Sequence, residues 1–128
     1  MRPSSNLIVT RQSLTGAICL SISGELDLAN VWELRAHFKA VVQAEDNLIV
    51  DMSGLQYLES SGIKALLNAY QHLTQINRRM VLAAAAPRVH RILTIMALDQ
   101  LMPIFLTVEE ALGNIRLVHD SHLPLAGS

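Results

Sequence analysis

The feature that most constrains this chain is an alternation that repeats along most of its length. Short apolar, β-branched runs give way to longer segments whose apolar residues fall three and four apart. Asn47 to Met52 (NLIVDM), Arg79 to Ala85 and Ile104 to Leu106 are the short runs. Each is followed by a helical stripe: Ile63, Leu66, Leu67, Tyr70 and Leu73; then Val89, Ile92, Leu93 and Met96; then Leu112 and Ile115. An earlier stripe, from Asp27 or Ala29 to about Val42, places Val31, Leu34, Phe38, Val41 and Val42 at the same spacing. Before it, Leu7 to Thr10 and Ala17 to Ser23 read as two strands joined through a turn at Thr15-Gly16. Pro87 suits the first turn of the third helix, and Thr107-Val108-Glu109-Glu110 has the form of a capping box for the fourth. The predicted order is ββαβαβαβα. A strand that must be followed by a helix before the next strand favours parallel pairing with right-handed crossovers. The expected fold is therefore α/β, a single small domain with a mixed, mostly parallel sheet of about five strands and four helices.

The chain has 128 residues, 51% of them apolar, which suffices for one buried core without disulfide or metal support. Ten basic and eleven acidic residues leave a net charge of −1, and no dense basic run is present. Neither nucleic acid nor an anionic membrane is expected as a partner. Cys19 is the only cysteine, so one chain builds neither a disulfide nor a CxxC site. The N-terminal MRPSSNLIVTRQS lacks a sustained apolar segment, and no later run approaches the length of a membrane span. A cytoplasmic protein without direct membrane insertion is expected. The domain is expected to span residues 1–118. Residues 119–128 have no periodicity and read as a flexible tail.

In parallel sheets, sites form beyond the strand C-termini. Asp51 is expected to close the third strand, so that SGLQYLESSG leads as a loop into the second helix. Ser60 or Ser61 can cap that helix by accepting an orphan backbone N–H. A cap does not account for Glu59 beside the serines, nor for the Gly24-Glu25-Leu26-Asp27 segment on what should be the same edge. Hydrolysis is disfavoured, because a GxSxG elbow needs glycine where the chain has Leu58 and no histidine is placed to serve Ser60. His119-x-x-His122 lacks a third ligand, so no metal site is expected. Phosphate-binding glycine motifs are absent, and no cofactor is expected. Trp32 has no basic patch around it and reads as a packing or part-surface residue.

Two segments together resemble the STAS domain family, and within it the bacterial anti-sigma factor antagonists. SISGELDLANVWELRAHF is similar to that family's Gly-Glu-Leu-Asp strand end and following helix. VDMSGLQYLESSGIKALLNAY resembles its D-[LM]-S-x-[LV]-x-[FY]-[LMI]-D-S-[ST]-G-[LI] signature. The later MVLAAAAPRVHRILTIMALDQLMPIFLTVEEAL is similar to the rest of the domain, so the likeness runs from about Leu7 to Ile115. The resemblance implies a non-enzymatic switch in which Ser60 is the phosphoacceptor. Gly24, Glu25, Asp27, Glu59, Ser61, Gly62 and Lys64 would form the docking neighbourhood. The implied partners are an anti-sigma factor that is also an ATP-dependent serine kinase, and a PP2C-type phosphatase. Glu59 stands where that family usually has Asp, a carboxylate one methylene longer. The alternative that the resemblance allows is a stand-alone STAS subunit, acting as a constitutive interaction module of a membrane-associated transport or lipid-trafficking assembly.

Overall fold

The computed structural model describes residues 6–122, with side chains described through Leu117. The elements follow the expected order: β1 (Leu7–Leu14), β2 (Ala17–Leu26), α1 (Val31–Gln43), β3 (Leu48–Leu58), α2 (Ser60–Gln75), β4 (Met80–Ala83), α3 (Pro87–Ile95), β5 (Ile104–Phe105) and α4 (Val108–His122), with a single 3-10 turn at Leu98–Gln100 before β5. The fourth helix thus continues through the first residues of the expected tail, while residues 123–128 lie outside the described residues. Half of the expected capping box is formed: Thr107 Oγ1 accepts the Glu110 N–H at 3.1 Å.

The largest departure from the sequence reading is the length of the strands. Asp51 does not close β3, which runs on to Leu58 and absorbs most of the segment expected to be a loop. The physical reason is a pair of irregularities in its pairing with β2. Ser21 pairs with Asp51 but Ser23 with Gly54, and Gly24 pairs with Leu55 but Glu25 with Tyr57. Each time β3 spends one residue more than β2, which breaks the inside–outside alternation by which a strand is recognised. Gly54 is needed there, because a Cβ would come within 2.4 Å of Ser23 Cβ.

The strands lie side by side in the order β1-β2-β3-β4-β5, with β1 antiparallel to β2 and the other neighbours parallel. Because this order advances in one direction, each right-handed crossover passes over the same face. Helices α1, α2 and α3 therefore stack on one side, where Leu34, Phe38, Leu66, Leu73, Val89 and Leu93 meet Leu20, Val50, Met52 and Leu82 in the main core. Each such fully buried side chain contributes about 1.5–3 kcal/mol relative to exposure. The fourth helix is not a crossover and covers the opposite face, placing Ala111 and Ile115 on Ala17, Cys19, Ile49, Val81 and Ala83. Toward the strand C-termini this second face turns polar. Ser21 Oγ donates to Asp51 Oδ2 at 3.1 Å and the Ser53 N–H donates to Asp51 Oδ1 at 3.0 Å. Burial pushes the Cys19 thiol above its usual range, against a hydrogen bond with Ser21. Such a thiol stays protonated and unreactive.

Candidate functional site at the strand ends

Parallel pairing brings the C-termini of β2 and β3 to one edge, where Leu26 is in register with Leu58. Two links then tie the two following loops together, and a third braces them from the β3 side. The Glu59 N–H donates to the Leu26 carbonyl at 3.3 Å. The Leu28 N–H donates to Glu59 Oε1 at 2.8 Å, and the Tyr57 hydroxyl donates to Glu59 Oε2 at 3.3 Å. Glu59 is thus a clamp between the β2–α1 and β3–α2 connections. The β2–α1 turn is also held from within. Asn30, buried at 3% exposure, accepts the Asp27 N–H and donates to the Glu25 carbonyl, while Asp27 Oδ1 accepts the Ala29 N–H. This turn delays α1 to Val31.

The serines are not caps. Only Glu59 separates β3 from α2, and it occupies the N-cap position with extended backbone and no capping hydrogen bond from its side chain. Ser60 and Ser61 are the first two helical residues. Ser60 is exposed, whereas Ser61 Oγ is buried without a hydrogen-bond partner. Among the described residues no acceptor meets the N–H of Ser60 or Ser61, while those of Gly62 and Ile63 bond to the Glu59 carbonyl. The first turn of α2 therefore presents unfilled donors, with the positive end of the helix dipole, beside the Ser60 hydroxyl.

Of the residues singled out in the sequence, Glu25, Asp27, Glu59 and Ser60 converge on this edge. Their proximity is felt by Tyr57, whose phenol is raised above its usual 10.0 by the Glu59 carboxylate first, with Asp27 and Glu25 adding to it. Lys64 is exposed one turn along α2, about 6 Å from Ser60 along the axis. The two glycines act through the backbone. Gly24, with φ +96°, would place a Cβ 1.7 Å from the Asn6 carbonyl oxygen. Gly62 is buried, and a Cβ there would lie 2.5 Å from Leu58 Cδ1 and 2.6 Å from Leu26 Cδ2. Its absence lets the helix seat on the two strand ends.

The sequence did not mark Tyr57, Leu28 and Trp32 as exposed members of this edge, nor Asn30 as the buried support of its turn. Tyr57 and Leu28 are exposed beside the Glu59 clamp, and Trp32, at 66% exposure, projects from the first turn of α1. The signal for Asn30 was its place four residues before Leu34, at the mouth of an apolar stripe where Asn is a favoured helix start. Among the described side chains no histidine bonds to Ser60, and His72, on the same helix, is about 18 Å along its axis. Among the described residues no group of three or more His, Cys, Asp and Glu could hold a metal ion, and no helix is long and apolar enough to cross a membrane.

A five-stranded mixed sheet whose strand ends carry an exposed serine at a helix N-terminus defines the class: residues 9–111 match the STAS domain, and the chain belongs to that family. More particularly, it is similar to an anti-sigma F factor antagonist of Paenibacillus polymyxa, with 27% identity over 88% of this chain and 98% of that protein. An anti-sigma-F factor antagonist of Mycobacterium tuberculosis is 29% identical over 91% of this chain and 95% of its own length. Among solved structures, an anti-sigma factor antagonist from Mycobacterium paratuberculosis superposes with a TM-score of 0.80 at 27% identity, covering 86% of this chain and 94% of that one.

Proposed function

We propose that the chain is an anti-sigma factor antagonist whose unphosphorylated form binds an anti-sigma factor with serine kinase activity, and that phosphorylation of Ser60 ends the interaction. The antagonist role is supported by two relatives described as anti-sigma F factor antagonists, which align along nearly their whole length. The observation that carries the reading is the placement of Ser60: exposed, at the first position of α2, beside Glu59 and unfilled backbone donors. A phosphate there adds about −1.5 to −2 charges and accepts strong hydrogen bonds. The donors of the first turn stabilise it without refolding. Its charge joins Glu25, Asp27 and Glu59 on the docking edge and repels acidic groups of a partner, so release requires no change of fold. A PP2C-type phosphatase would restore the binding form, and the chain itself would work by docking rather than by catalysis.

The test is incubation with candidate anti-sigma kinases and ATP, followed by site-resolved mass spectrometry of the wild type, Ser60→Ala and Ser61→Ala. Modification is expected in the wild type and in Ser61→Ala, because the Ser61 hydroxyl is buried. Persistence in Ser60→Ala would move the acceptor. Tight binding to a kinase with no transfer would sink the switch and leave the docking.

A further inference from the structure

A groove of about 410 Å³ runs between α1 and α2, away from the serine edge. Its floor is apolar: Phe38 and the half-buried Val42 contribute from α1, and Ala65 and Ala69 from α2, with Phe38 and both alanines buried at its base. The two alanines, one turn apart, are too small to fill the valley between the helices, which is why a trough remains. One wall is cationic. Arg35 and Lys39 stand one turn apart and exposed on α1, Asn68 and His72 stand opposite on α2, and no acidic residue lines the groove. The strand-end edge, with Glu25, Asp27 and Glu59, has the opposite sign. Ser60, Lys64, Asn68 and His72 follow one another at intervals of four along α2, so one helix stripe about 18 Å long leads from the exposed serine into the groove.

We propose that this groove receives an acidic amphipathic helix of the partner protein. The apolar stripe of that helix would rest on Val42 and on the alkyl stems of Arg35 and Lys39, above the buried Phe38, Ala65 and Ala69, and its carboxylates would face the guanidinium and ammonium ends of Arg35 and Lys39. The inference rests on the reading that the chain works by docking a protein. The charge of the α1 wall selects an acidic occupant, since carboxylates are complementary to Arg35 and Lys39. Two neighbouring helices with alanines between them offer a third helix a ridge-and-groove seat, with anchors at every third and fourth residue. A small amphiphile is disfavoured because such ligands occupy sites that enclose most of their surface, whereas this valley is open along the protein surface. A phosphate on Ser60 would stand about 12 Å from Asn68 along the stripe, beyond the screening length of about 8 Å at physiological salt, so the groove and the switch act through separate contacts.

The experiment uses the full chain and two fluorescein-labelled 16-residue helical peptides with identical leucine stripes, one with glutamate and one with lysine on the polar face. Fluorescence anisotropy is expected to show the glutamate peptide binding at least tenfold more tightly, with the difference shrinking as salt is raised. Arg35→Glu combined with Lys39→Glu should remove or invert the preference. Asn68→Trp, which obstructs the groove without changing charge, should weaken the glutamate peptide about tenfold. All three positions are exposed, and circular dichroism of each variant checks that the fold is retained. Equal affinity for the two peptides, indifference to the wall variants, or binding of oleate where neither peptide binds would overturn the groove assignment. Those results leave the kinase reading intact if Ser60 is still phosphorylated. Peptide discrimination without phosphorylation by any kinase would instead sink the switch and leave the groove.

Discussion

At the scale of single residues, Glu59 carries the most structural responsibility for its size. It spends its carboxylate on the Leu28 N–H across the edge and on the Tyr57 hydroxyl behind it, rather than on its own helix. Removing it in Glu59→Ala leaves the β2–α1 turn to Asn30 and Asp27, and should cost about 1 kcal/mol in a denaturant titration. Hydrogen exchange at the Leu28 amide should accelerate at the same time. The pH response follows from Tyr57. Because the folded state raises its phenol above 10.0, the stabilisation from the neutral hydroxyl is fully present below the unfolded value and is lost as pH rises through the raised one. In a Tyr70→Phe background, ultraviolet titration should place the Tyr57 midpoint above 10, and Glu59→Gln should bring it down. A midpoint unmoved by Glu59→Gln would mean that the clamp is absent in solution.

Elements begin and end in this protein by devices of unequal visibility. Gly62 lets the first turn of α2 approach Leu26 and Leu58. Gly62→Ala should destabilise by about 1–3 kcal/mol through overpacking, despite the gain of about 1 kcal/mol in helix propensity. Thermal melts that showed a net gain would refute that seat. At the other ends, α1, α2 and α3 are each followed by a residue in the left-handed region, and none is glycine: Glu45, Asn77 and Ala97. After α2 the Arg78 N–H bonds the Leu73 carbonyl and the Asn77 N–H bonds that of Thr74, the Schellman arrangement. Ala97 has no side-chain group to compensate for its positive φ of 61°. Ala97→Gly should therefore raise stability by about 1 kcal/mol, measurable as a shift in the denaturation midpoint.

For the whole molecule, the one-directional strand order puts three helices on one face and leaves the other to α4 alone. That helix is a lid on a second, smaller core rather than an appendage. A chain ended at Thr107 would expose Ile49, Val81 and the buried Cys19. It should melt at a markedly lower temperature, and a thiol-reactive dye should label Cys19 rapidly. In the complete protein the dye should react only at the rate of opening. Equal labelling of both would show that α4 does not cover this face in solution.

The apolar alternation by itself determined the element order, the mixed sheet and nearly all of the core, because burial of periodic stripes is a local property of sequence that survives any detail of packing. It also brought Ser60, Glu59 and the Glu25–Asp27 turn to one edge, since parallel strands share their C-terminal side. Only the tertiary structure decided how far β3 runs, because its two extra residues have meaning only against β2. Only there does it emerge that the Ser61 hydroxyl is buried while Ser60 is exposed, because the first turn of α2 seats one side against Leu26 and Leu58. The clamp by Glu59 was hidden for the same reason: its partner across the edge, the Leu28 N–H, lies 31 residues away, and no spacing in the sequence records a contact that exists only once two strands are paired.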